Sequence, residues 1–221
     1  MTDLITLETV DADGAIQEAY DEAGGDTRSD FFRKAAVGGG TLIGGGVLLS
    51  GFPAMAGAAT RKSKKNDVKI LNFALTLEYL EAAFYNQAIA GGALSGAPLE
   101  TARIVSAHED AHVKFLKQAL GRKAVKKPKF DFKDTVTNQA KFLQTAVALE
   151  DTGVAAYAGQ VTKVFQPAVL KAAASIHSVE ARHAARFRSL IDANFAPRAF
   201  DRPYSMKKTL QVVEDTGFIT G

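Results

Sequence analysis

Residues 107–112 read AHEDAH, and residues 179–183 read VEARH. Each stretch sets a glutamate and a histidine three positions apart inside an otherwise apolar run: Glu109 with His112, and Glu180 with His183. On a helix, residues i and i+3 share a face, so each pair can aim a carboxylate and an imidazole at one point. Groups so placed either face water or have something to bind, and the rest of the chain decides between the two.

Two further segments answer to these pairs. Residues 77–85 read LEYLEAAFY and residues 149–157 read LEDTGVAAY. In both, a Leu-Glu is followed by tyrosine seven positions after the glutamate: Glu78 with Tyr85, and Glu150 with Tyr157. Glu78 precedes Glu109 by 31 residues and Glu150 precedes Glu180 by 30, so the chain repeats one unit twice. Glu81 has no counterpart, since Gly153 stands in its place, and Glu78 therefore ranks ahead of it as the inward carboxylate. Four glutamates and two histidines converging inside a bundle would repel one another and be costly to desolvate. Two divalent cations cancel that charge, and nitrogen and oxygen donors with bridging carboxylates suit Fe, with Mn or Zn as alternatives.

The surrounding periodicity predicts four helices. Apolar residues recur at helical spacing from Val68 to Ala90, and Gly91-Gly92 stops the run. Pro98 suits the start of a second helix that ends at Gly121. A third runs from about Val136 to Phe165, and Pro167 opens a fourth that reaches Asn194. Short first and third joins make two antiparallel hairpins. The join between them, 122–134, spans about 40 Å when extended, against about 36 Å for a helix of its neighbours' length, so it can cross the whole bundle. The end of the chain, 195–221, has weak patterning and reads as a tail wrapped on the bundle.

The 221 residues contain no cysteine, which removes disulfides, thiolate metal sites, iron–sulfur clusters and cysteine nucleophiles. Residues 1–58 carry nine acidic and three basic side chains, whereas the remainder carries 24 basic and 15 acidic, so a boundary falls near 58. Residues 27–58 run from a basic start through a glycine-rich apolar stretch to Ala54-x-Ala56 and Ala56-x-Ala58, the form of an export signal. The start resembles a twin-arginine translocation signal, with Arg28 present but Ser29 in place of the second arginine. A basic linker at 59–67 follows. The lysine clusters at 61–65 and 122–129 lack interleaved aromatic residues and read as solvated loops, so no nucleic-acid partner is expected.

Residues 68–194 resemble a ferritin-like domain: all-α, a four-helix bundle of two antiparallel hairpins joined by a long crossover. With its export segment the chain resembles exported bacterial ferritin-like proteins related to plant desiccation-associated proteins. The resemblance implies Glu78 and Glu150 as terminal ligands of two metal ions, Glu109 and Glu180 as bridges, and His112 and His183 as the completing ligands. Tyr85 and Tyr157 would be hydrogen-bonding or redox-capable neighbours. Asp110 and Asp151 should point away, and His108 should lie outside the ligand set. His177, three residues before Glu180, is a candidate supporting partner or extra ligand. The implied activity is redox chemistry with dioxygen or peroxide, as a ferroxidase or in peroxide removal, in stress protection. A non-catalytic, metal-stabilised envelope protein is the alternative. The protein is expected in the periplasm or envelope, or in the cytoplasm if the signal does not act. No stable membrane span is expected after cleavage, and assembly as a homo-oligomer is open.

Overall fold

The computed structural model describes residues 62–220. The expected leader at 1–58 lies outside them. Five α-helices follow: α1 (Lys64–Ala90), α2 (Gly96–Leu120), α3 (Gln139–Val161), α4 (Pro167–Leu190) and α5 (Met206–Thr216). The described residues form no strand, only an isolated antiparallel bridge between Phe130 and Ile219. The first four helices make the two expected hairpins, α1 with α2 and α3 with α4, each closed by five residues.

Local chemistry sets the ends of these helices. Ser63 caps α1, its Oγ accepting from the Asn66 N–H at 3.1 Å, and Asp67 in the first turn favours the positive end of the helix dipole. The helix therefore starts inside the basic stretch read as linker, the Ser63 cap and Asp67 outweighing the unfavourable charge of Lys64 and Lys65 in its first turn. Asn138 caps α3 through its Oδ1 and the Lys141 N–H at 3.0 Å, and Pro167 opens α4 with its fixed φ. Both α3 and α4 stop four residues short of the sequence-based expectation, α3 at Val161 and α4 at Leu190. α3 also starts later than expected, at Gln139, so the connection between the hairpins is longer, Gly121 to Asn138, and contains two short 3-10 turns.

Buried polar side chains fasten the connections to α1. Asp67, fully buried, accepts from the Phe165 and Gln166 backbone N–H groups at 2.8 and 2.9 Å and so holds the α3–α4 turn. Asn72 donates to Lys123 O at 3.0 Å and accepts from Val125 N–H at 2.8 Å, which pins the start of the crossover. Phe132 of the crossover is buried edge-on against Phe84, in a cluster where Phe84 stacks on Phe142 at 5.1 Å.

The expected tail contains a helix. Ser205 caps α5 through the Lys208 N–H, Gly217 ends it in the left-handed conformation, and Leu210 and Val213 are buried against the bundle. Before it, the chain crosses α3 so closely that Tyr204 N–H donates to Ala155 O at 2.8 Å. A Cβ on Gly159 would sit 1.7 Å from Tyr204 O. On an open helix, glycine to alanine gains about 1 kcal/mol. Here the sign should reverse: Gly159→Ala is expected to destabilise by about 1–3 kcal/mol through overpacking, read from urea unfolding. A stabilised variant would mean that the crossing segment is not held there.

Candidate metal centre

The apolar core falls into two clusters, and the acidic and imidazole side chains lie between them on the helices. On α2, Val105 belongs to one cluster and Leu116 to the other, with Glu109 and His112 between. On α4, Phe187 and Ile176 bracket Glu180 and His183 in the same way. Glu78, Glu109, Glu150 and Glu180 are each no more than 1% exposed. The structure brings all six residues singled out by the sequence to one place, as two groups that share Glu109 and Glu180. Glu78, Glu109, His112 and Glu180 form one, Glu109, Glu150, Glu180 and His183 the other, and within each the donor atoms lie within 4.8 Å of one another.

The atoms divide in an ordered way. His112 Nδ1 lies 3.1 Å from Glu78 Oε2, Glu109 Oε2 and Glu180 Oε1. His183 Nδ1 lies 3.1 Å from Glu109 Oε1, 3.3 Å from Glu150 Oε2 and 3.5 Å from Glu180 Oε2. Glu109 and Glu180 thus offer one oxygen to each group, whereas Glu78 and Glu150 each turn one oxygen inward. Their other oxygens accept from tyrosines of the opposite hairpin: Tyr157 donates to Glu78 Oε1 at 2.5 Å, and Tyr85 donates to Glu150 Oε1. This exchange of tyrosines between α1 and α3 follows the sequence repeat. Burial, together with the charge of the glutamate each one serves, holds both phenols well above their usual pKa, so both remain donors.

His108, expected outside the ligand set, is outside both groups but is no bystander. Its Nδ1 lies 2.9 Å from His183 Nε2, with the rings stacked. Desolvation, and then the neighbouring imidazole of His183, lower its pKa. Its spacing of four from His112 is the sequence signal that places it on this side of α2. His177 belongs to neither group; its Nε2 lies 3.7 Å from Asp201 Oδ2. Asp110 is exposed and accepts weakly from Asn86 Nδ2 at 3.4 Å, and Asp151 pairs with Arg188. Glu81, ranked behind Glu78 as an inward group, is in fact as inward, at 3% exposed.

The donor set fits metal ions. Glu109 Oε1, Glu150 Oε2, both oxygens of Glu180 and His183 Nδ1 are buried without a hydrogen-bond partner. They lie close to one another yet too poorly aligned to bond, the arrangement of atoms converging on a common centre rather than pairing. No sulfur or amide is among them, so the cluster can hold cations of the kind that take oxygen and imidazole ligands.

A family model described as a ferritin-like domain matches residues 66–193, more than half of the chain. No match is found among curated proteins.

Protons occupy the cluster in the absence of cations. Burial alone would lower the His112 pKa, but the carboxylates of Glu109, Glu180 and Glu78 outweigh it and push it up to about 12. His183 rises to about 12 in the same way, with Glu109, Glu150 and Glu180 against burial. Glu109 moves oppositely: burial would raise it, and the two imidazoles bring it down to about 2. Burial, then Glu180, raises Glu78, and burial raises Glu150. The raised histidines stabilise the fold fully below their ordinary 6.5 and lose that contribution as pH rises through about 12. Glu109 contributes above its ordinary 4.5 and loses it as pH falls through about 2. The metal-free network therefore persists across neutral pH, and a cation must displace its protons. Mn(II) titrated calorimetrically near pH 7, in buffers of different ionisation enthalpy, should release at least two protons per two ions. Its affinity should rise with pH; pH-independent binding without proton release would contradict the geometry.

Proposed function

The chain belongs to the ferritin-like domain family, and on that premise we propose that it is an exported two-metal carboxylate protein carrying out redox chemistry on dioxygen or peroxide. The observation that carries this reading is the division of the Glu109 and Glu180 oxygens between two groups of donors. Glu78, Glu109, Glu150, Glu180, His112 and His183 would hold the ions, with Glu109 and Glu180 shared between the two positions, and iron is the first choice with manganese next. Two such ions supply two one-electron equivalents, enough to reduce dioxygen to peroxide, or peroxide and two protons to two waters.

The chain's own residues supply the rest. The apolar clusters on either side bury the four glutamates to 1% exposure or less, which strengthens the electrostatic interactions among them. Tyr85 and Tyr157 fix the Glu150 and Glu78 carboxylates so that one oxygen of each faces inward. His108 fixes the tautomer and tilt of His183 through its outer nitrogen, as partners of ligand imidazoles commonly do. Without cysteine the chain has no sulfur-ligated electron relay of its own, so a reductant for repeated peroxide turnover must come from outside, or ferrous iron itself must be the substrate. The sequence of 27–58 supports export, with a role in the envelope under oxidative or drying stress. No helix among the described residues is long and apolar enough to cross a membrane.

Protein loaded anaerobically with Fe(II) should consume dioxygen, or protein loaded with Mn(II) should decompose peroxide, and a Glu109→Gln, Glu180→Gln double variant should lose the activity. If both loaded forms are inert while metal only raises the melting temperature, the centre is a structural staple and the redox reading is wrong.

A further inference from the structure

The two hairpins match at all six donors and both tyrosines, but His108 and Glu81 have no counterpart. Glu81, one turn beyond Glu78 on α1, corresponds to Gly153 on α3. Glu81 and Gly153 fit each other in space. A Cβ on Gly153 would lie 3.2 Å from Glu81 Oε1 and 3.8 Å from Glu180 Oε2. The side chain missing from α3 thus leaves the room that a carboxylate from α1 occupies, beside the Glu180 oxygen that faces His183. Burial, and then the charges of Glu180 and Glu150 ahead of Glu109 and Glu78, act on Glu81, and all of these oppose its charge. A carboxyl held 3% exposed among four others stays neutral on its own, and a cation beside it is what favours its ionised form.

Resting on the two-metal reading above, we propose that Glu81 is a fifth carboxylate serving one position only, the one formed by Glu109, Glu150, Glu180 and His183. Four carboxylates balance two divalent ions, and the fifth, ionised only when a cation sits beside it, adds negative charge at that position. Carboxylate count is a main determinant of cation affinity in oxygen-rich sites. The two positions are therefore unequal, and the one beside Glu81 fills first.

The test is titration of the metal-free full chain with Mn(II), with heat measured calorimetrically and free Mn(II) counted by electron paramagnetic resonance. The wild type should take up two ions in two steps whose affinities differ about tenfold or more. Glu81→Gln, equal in size without the charge, should weaken the tight step by about 10- to 100-fold, leave the weak step little changed and keep the stoichiometry at two. Gly153→Ala retains every carboxylate but pushes the Glu81 carboxyl aside, and should weaken the same step; it decides the matter if Glu81→Gln fails to fold. Two equal steps in the wild type, an unchanged tight step in the variants, or equal weakening of both steps overturns the assignment of Glu81 and leaves the two-metal reading standing. A wild type that binds no Mn(II) overturns both.

Discussion

Four carboxylates buried at one level of a helical bundle are the constraint on which the rest of this molecule depends. Two like charges about 4 Å apart repel by roughly 4 kcal/mol even at an effective interior dielectric of about 20. A few such pairs equal the roughly 5–15 kcal/mol of stability that a folded domain has in total. Glu78, Glu109, Glu150 and Glu180 therefore cannot all be ionised there unless positive charge accompanies them. Protonated His112 and His183 supply it in the metal-free chain, and the geometry lets cations take their place.

Much of the remaining architecture holds this layer in position. Glu78 and Glu150 are each gripped by a tyrosine from the other hairpin, so neither hairpin can shift without breaking a buried hydrogen bond. Asp67 ties the α3–α4 turn to the start of α1, and Asn72 ties the crossover to the same helix. The aromatic cluster of Phe84, Phe142, Tyr85 and Phe187 closes one side of the layer, with Tyr85 stacked on Phe187 at 5.6 Å. Tyr85 thus serves the core with its ring and the centre with its hydroxyl. Energetically these contacts raise the cost of displacing any of the converging side chains, which preorganises them as a set of donors.

The centre was legible because helical spacing converts directly into geometry. Glu109 and His112, or Glu180 and His183, must share a face on any helix, and the repeat with Glu78 and Glu150 identified the other two helices. What escaped depends on contacts between elements. His108 acts across to α4, which its spacing from Glu109 does not reveal. Glu81 ranks behind Glu78 in the sequence because the repeat lacks it, although Gly153 opposite is the reason it fits. The α5 helix is short, and only Leu210 and Val213 mark its buried face, too few for a periodic signal; Ser205 and Gly217 at its ends were the better clue. The early start of α1 was hidden because lysines in a first turn look like lysines in a linker.

The most direct measurement is metal content combined with X-ray absorption at the metal edge, on protein purified without added metal. The account predicts two ions per chain, a shell of nitrogen and oxygen without sulfur, and a second metal at about 3.5–4 Å from the first. One ion per chain with no metal neighbour, or no bound metal at all, would contradict it.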